Sequence, residues 1–388
     1  MSRSIPKLRD MMAGLIEIPS VSSVNPDYDM GNLEVVELLA GWLNDLGFDV
    51  DIRHLSGHNN KANLIARLGE GDDGLVLAGH TDTVPFDEGK WQHDPFRLTE
   101  DHGRLYGLGS SDMKAFLALA IEAARAYVDR RLHSPLILLA TADEESGMDG
   151  ARLLSEQGAR LGQYCVIGEP TGMRPVRQHK GVMMEAVRLH GRSGHSSDPS
   201  LGNSALEGMQ EVMGAILTLR TELQDRFRNA AFSIPVPTLN LGHIHGGDNP
   251  NRICGECELH YDLRQLPGMD IEELRTMIEQ RVAVVADRRG LGYECIPLFS
   301  GVPAMETPAT SSIVRACEQI TGQTAGAVAF GTEGPYLNAM GTQTVVLGPG
   351  DIDQAHQPDE FLLQSRIEPM LQILDGLIRR FCLEPPEA

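Results

Sequence analysis

Five separated segments of the 388-residue chain each present a histidine or a carboxylate where an apolar run or a glycine loop ends. His80 and Asp82 follow LVLAG (75–79), and Glu144 and Glu145 follow LILLATAD (136–143). Glu169 follows YCVIG (164–168), His356 follows TVVLGPGDIDQA (344–355), and Asp112 closes GLGSSD (107–112). Two imidazoles with several carboxylates and no thiolate form a donor set for zinc or a similar borderline divalent ion. The donors suffice for two ions. A shared carboxylate would hold two ions about 3.5–4 Å apart, a spacing that activates a water between them. Each residue alone reads more simply as a structural histidine or a loop acid. The convergence of five segments favours a metal site.

The stretch TADEES (141–146) sets three acids in a row. Read as extended chain, its successive side chains point opposite ways. Glu144 and Glu145 then face different partners, and Asp143 is a loop acid or a supporting one.

The elements that must position these groups are visible in the patterning. LVLAG, LILLA, YCVIG and TVVLG are continuous apolar runs, the pattern of parallel strands covered on both faces. Helices are expected over 3–17, 31–47, 113–128 and 148–158, which gives βαβ units with right-handed crossovers. Ligands of such sheets sit at the carboxyl ends of the strands, where the five segments deliver their donors. Near residue 182 the pattern changes. MEAVRLHG (184–191) and TLNLGHIH (238–245) alternate, and CELHYDLR (257–264) is mixed. With helices over 203–227 and 270–288 and a strand at 291–297, the order is β-α-β-β-α-β, a two-layer α+β unit with one solvated sheet face. The α/β pattern resumes after 298, with helices near 310–321 and 364–382. The expectation is an α/β domain (1–182 and 298–388) with a mixed, mainly parallel sheet flanked by helices. An α+β domain (183–297) is inserted into it.

Composition sets bounds. The net charge is −21, which argues against nucleic acid and against anionic membrane surfaces. No run reaches the ~20 apolar residues of a membrane span. The first twenty residues carry no apolar signal region, so a cytoplasmic location is the default expectation. Six cysteines are few for the length and fit reduced thiols. Cys254 and Cys257 lack the second pair that a zinc ribbon would need. His243 and His245, alternating on one strand, read as strand-face residues.

GHTDTVP (79–85), GLGSSDMK (107–114), ADEESG (142–147), GEPT (168–171), SGHSSDP (193–199) and AHQPDE (355–360) resemble, in order, the motifs of the di-zinc aminoacylase and carboxypeptidase family of amidohydrolases. That resemblance implies an inserted domain serving as lid and dimerisation unit, and two divalent ions, zinc first with cobalt as an alternative. It implies His80, Asp112 and Glu169 as ligands of one ion, with Asp112 bridging and Asp82 orienting His80. Glu145 and His356 complete the second ion, and Glu144 acts as general base on the attacking water. The Asp112–Met113 peptide is expected to be cis. His195, in the inserted domain, is implied as the oxyanion donor, reaching across a homodimer. The implied substrate is a small N-acyl amino acid. Its carboxylate would call for arginine, with Asn251, Arg252 and Arg264 as candidates. Thr332 and Glu333 of FGTEGPY are further candidates near the substrate, Glu333 for an amine. A broader aminoacylase or dipeptidase and a non-catalytic binding member are the alternatives.

Overall fold

The computed structural model describes residues 5–58 and 60–383. The first two residues of the helix expected over 3–17 lie outside them, as do the outermost residues of the expected α/β domain. The chain divides into two compact units. One runs through Arg177 and adds Thr307–Gly326 and the chain from Thr332 on; the other is Gln178–Glu306 with Ala327–Gly331. The domain bounds expected from sequence, 183–297, lie inside this second unit. The chain enters and leaves the unit as a narrow antiparallel ribbon, His179 opposite Met305 and Val182 opposite Val302.

The four continuous apolar runs of the first unit are adjacent parallel strands. Leu75–His80 lies between Leu136–Thr141 and Tyr164–Ile167, and Gln343–Val346 flanks the latter. Every residue of Leu75–His80 and Leu136–Thr141 is buried, so both sheet faces are covered. Alternate side chains serve the two faces. Leu75, Leu77, Leu136 and Leu138 join the core built with helices Leu8–Glu17, Leu33–Leu46, Lys114–Arg125 and Ile367–Ile378. Val76, Ala78, Ile137 and Leu139 join a smaller core with Leu154 and Leu337, from helices Asp149–Glu156 and Gly334–Ala339. Each fully buried Leu or Ile contributes about 1.5–3 kcal/mol by leaving water.

Two strands absent from the sequence reading extend the sheet antiparallel. Ala62–Leu68 pairs with Leu136–Thr141, and Asp49–His54 pairs with Ala62–Leu68. Their mixed, partly charged sequences hide them. The expected helices are present, with ends set by local chemistry. Pro6 precedes the first, which starts at Leu8. Gly47, at φ 86°, stops Leu33–Leu46 in the left-handed conformation that glycine adopts freely.

The second unit is a four-stranded antiparallel sheet in the order Thr238–Gly246, Glu256–Arg264, Met183–His190, Gly292–Pro297. Helices Ala205–Arg226 and Ile271–Arg289 cover one face. Val187, Leu189, Leu259 and Leu263 meet Met209, Val212, Ile216, Ile278 and Val282 there. The open face carries polar pairs: Arg188 is ion-paired with Glu258 and Glu294, and the His190 ring is hydrogen-bonded to Glu294. This is the β-α-β-β-α-β unit that the alternation implied.

Candidate metal centre

The carboxyl ends of the parallel strands in the first unit carry His80, Glu144, Glu145 and Glu169, and Asp112 and His356 arrive on loops. His80 is the last residue of its strand and is 1% exposed. Its Nδ1 lies 2.8 Å from the backbone carbonyl of Asp82, which can only accept, so Nδ1 carries a proton and it is Nε2, once deprotonated, that would face a cation. Nε2 stands 3.2 Å from Asp112 Oδ1 and 3.7 Å from Glu169 Oε1. The other oxygen of Asp112 is 3.7 Å from His356 Nε2, which is 3.0 Å from Glu145 Oε2. Asp112 therefore turns its two oxygens toward the two histidines.

Asp82, expected to orient His80, meets its Nδ1 with the backbone carbonyl at 2.8 Å, and its carboxylate Oδ1 stands 3.7 Å from the same nitrogen. Its Oδ2 accepts the backbone N–H of Glu145 at 3.0 Å.

Two tight groups result among the described residues, His80–Glu144–Glu169 and His80–Asp112–Glu145, each with its ligand atoms within 4.8 Å of one another. Two ligands of a tetrahedral zinc ion with bonds of about 2.0–2.1 Å lie about 3.3 Å apart, and the pairs above span 3.0–3.7 Å. Glu145 Oε1 and Glu169 Oε1 are buried and have no hydrogen-bond partner. Orphaned carboxylate oxygens at this spacing fit divalent ions. The electrostatics agree. Burial first, and then Glu169, push Glu144 well above the usual carboxylate range, and burial and Asp112 do the same to Glu169. Burial pulls the His80 imidazolium down, but Asp112, Glu169 and Asp82 outweigh it and hold its pKa well above the ordinary value. The hydrogen bond to Glu145 leads in pushing His356 up to about 9. So much unmatched negative charge suits a divalent cation.

The acid turn is not the extended segment expected from sequence. Asp143 has φ 60°, and its carbonyl accepts the N–H groups of Ser146, Gly147 and Met148. Its carboxylate meets the buried Lys61 Nζ at 2.7 Å and the Ser22 hydroxyl at 2.9 Å. The separation of Glu144 from Glu145 thus comes from a turn. His356 also sits in the left-handed region, at φ 59°, where few non-glycine residues are found outside turns and sites. The Asp112–Met113 peptide is cis.

Glu360 was missed as an individual residue, although AHQPDE contains it. It is 1% exposed, and its Oε1 accepts the N–H groups of Ser111 and Asp112 at 2.7 and 3.0 Å, which fixes the loop that carries Asp112. Gly168, before Glu169, has a clear steric reason. A Cβ there would lie 2.0 Å from the Phe116 ring.

Among the substrate candidates, the structure groups three in the second unit. His195 forms a backbone bridge with Arg252, and Ser196 N–H bonds the Asn251 carbonyl at 3.0 Å. His195 is exposed, its Nδ1 2.8 Å from the Ser197 hydroxyl. A groove of about 740 Å³ passes Ser196, Asn249 and Arg252. Arg264 stands apart at the end of its strand, its Nε on both oxygens of Asp262. Thr332 and Glu333 belong to the first unit and are 0% and 1% exposed. Burial pushes the Glu333 carboxyl up to about 7, against the bond from Thr141.

Residues 76–380 match the family model described as peptidase family M20/M25/M40. The chain is 47% identical to the acetylornithine deacetylase of Edwardsiella ictaluri over 98% of its own length and 100% of that protein. It is 45% identical to that of Pasteurella multocida over 98% and 99%. Among solved structures, a tripeptidase from Staphylococcus aureus superposes with a TM-score of 0.74 at 21% identity, covering 96% of this chain and 98% of that one. A dinuclear metal-binding M20 peptidase from Bacillus subtilis gives 0.67 at 16% identity, covering 96% of each. These two likenesses concern the fold. With a family match over most of the chain and near half of all residues shared with full-length relatives, the chain belongs to peptidase family M20/M25/M40 and is a hydrolase of amide bonds.

Proposed function

We propose that the chain removes the acetyl group of N2-acetyl-L-ornithine, releasing ornithine and acetate, a step of arginine formation in the cytoplasm. The observation that carries this reading is the identity of 47% and 45%, over 98% of the chain, to two proteins named acetylornithine deacetylase. The donor groups around His80 and Asp112 support it, since they offer the chemistry such a reaction needs.

His80, Asp112 and Glu169 would hold one ion, and Asp112, Glu145 and His356 the second. We assign zinc, with cobalt able to substitute. When bound, the ions supply Lewis acidity to a water and to the amide carbonyl. Glu144 is as close to His80 and Glu169 as a ligand would be. We assign it to proton transfer because the other donors already complete two sites. It accepts the proton of the attacking water and delivers it to the departing amine. Nearby cations would draw its raised pKa down toward the working range. His195 donates to the oxyanion, from a second copy of the chain associated through its inserted unit, which acts as a lid. Asn251, Arg252 and Arg264 receive the substrate carboxylate, and Thr332 and Glu333 the amine end.

A substrate panel tests the proposal. Acetylornithine should turn over well above acetylcitrulline, acetylmethionine, succinyl-diaminopimelate and dipeptides. Equal rates across the panel would replace it with a broad aminoacylase or dipeptidase. No turnover of any of them by the metal-loaded protein would leave a binding protein.

A further inference from the structure

We propose that Lys61 is a positioning residue. Clamped on the Asp143 carboxylate, it holds the acid turn in the one conformation that aims Glu144 and Glu145 into separate donor groups. The inference deepens the reading above, since it rests on those two glutamates acting at the ions.

Lys61 is 4% exposed, although lysine is almost never buried unless it is paired. Its Nζ is 2.7 Å from Asp143 Oδ1 and 2.7 Å from Asp29 Oδ2. It immediately precedes Ala62–Leu68, the strand that pairs with Leu136–Thr141, and that strand leads into the acid turn. The ammonium is therefore anchored to the same sheet from which the turn departs. Asp143 has left-handed backbone, which non-glycine residues avoid and aspartate tolerates when its side chain is bonded. The turn closes on the carbonyl of Asp143, through Gly147 N–H at 3.2 Å and Met148 N–H at 2.6 Å. The φ of this residue consequently sets the directions of the two glutamates that follow it. They enter different groups that share His80, Glu144 with Glu169 and Glu145 with Asp112. The Ser22 hydroxyl bonds the same Asp143 oxygen at 2.9 Å and lies 2.6 Å from the Ser146 hydroxyl, so the clamp reaches both ends of the turn. Asp29, in the loop between the first two helices, is the other partner of Lys61 and bonds Ser23 N–H rather than the turn.

The test uses the full chain and four variants: Lys61→Met, Lys61→Arg, Asp29→Asn and Asp143→Ala. Zinc affinity is read by chelator competition without substrate, kcat and KM on acetylornithine, and folding by circular dichroism. Lys61→Met and Asp143→Ala should each weaken binding of the looser ion by about 10-fold or more. They should lower kcat by about 100-fold with KM changed far less. Lys61→Arg should recover most of both losses, and Asp29→Asn should cause neither. A folded Lys61→Met protein with unchanged zinc affinity and kcat would overturn the proposal. Equal losses in Asp29→Asn would also overturn it, because the role would then belong to the loop of Asp29. If Lys61→Met does not fold, Asp143→Ala decides by the same readouts. The zinc-affinity readout needs no substrate, so it remains decisive if the deacetylase reading fails.

Discussion

Asp82 and Glu145 are joined by a single bond, the backbone N–H of Glu145 to Asp82 Oδ2 at 3.0 Å. The same Asp82 holds His80 through its carbonyl. One residue thus ties the ends of two neighbouring strands and sets the two donors they carry relative to each other. Removing its carboxylate should loosen Glu145 without moving the bond that orients His80. Asp82→Ala should therefore cost about 10- to 100-fold in metal affinity. Metal titration of the stripped protein measures this, and an unchanged affinity would refute the link.

Glu144→Ala should lose about a thousandfold in kcat, in the range of general acid–base contributions, while both ions are retained. Metal analysis beside steady-state kinetics separates the two. A residual rate near a tenth of the parent's would show that another group moves the proton.

His195→Ala should lower kcat by about 100-fold, the scale of one oxyanion donor, with metal content intact. His195 belongs to the second unit and none of the donor groups includes it. Loss of metal in this variant would mean that its assigned role is wrong.

The raised pKa values fix the sign of a pH effect. Glu144 and Glu169 are held up chiefly by burial, and His356 stands at about 9 chiefly through Glu145. Groups raised by folding add stability that is complete below their unfolded values. It is lost as pH rises through the folded ones. The metal-free protein should therefore lose stability on the alkaline side. Ion binding needs those protons gone, so the rise in Tm on adding zinc should grow from about pH 5.5 to about pH 8.5. Calorimetry of stripped and loaded protein reads this, and a gain that stays flat or shrinks would contradict it.

Gly168→Ala places a methyl 2.0 Å from Phe116, a ring that is 1% exposed in the core. Overpacking of this kind costs about 1–3 kcal/mol or more, and it would also displace Glu169. Denaturant unfolding should show a lowered midpoint and metal titration a weakened site. A midpoint equal to the parent's would show that the ring can move aside.

The parallel core and its donors were legible because their signals are local. An unbroken apolar run reports burial on both faces, and a histidine or acid right after it must emerge at the strand's end. The antiparallel strands Asp49–His54 and Ala62–Leu68 were not legible. Asp49–His54 is an exposed to half-buried edge strand, and the burial of Ala62–Leu68 comes from neighbours distant in the chain; charged residues interrupt both patterns. Glu360 was hidden for a related reason. Its value lies in two backbone N–H groups some 250 residues away.

TADEES shows where the boundary runs. Its place after a buried strand, and the presence of five donor segments, three at strand ends and two on loops, are properties of the sequence. They follow from periodicity and residue type alone. Which way each acid points is not. Alternation along an extended strand gave a plausible answer, but the chain turns at Asp143 instead. The turn is stabilised by Lys61, just before a neighbouring strand, and by Ser22 from the segment after the first helix. A backbone conformation with a local cost is set by partners that only the folded chain brings within bonding distance. That is why the order of the donors could be read from sequence, while their aim was decided by tertiary structure.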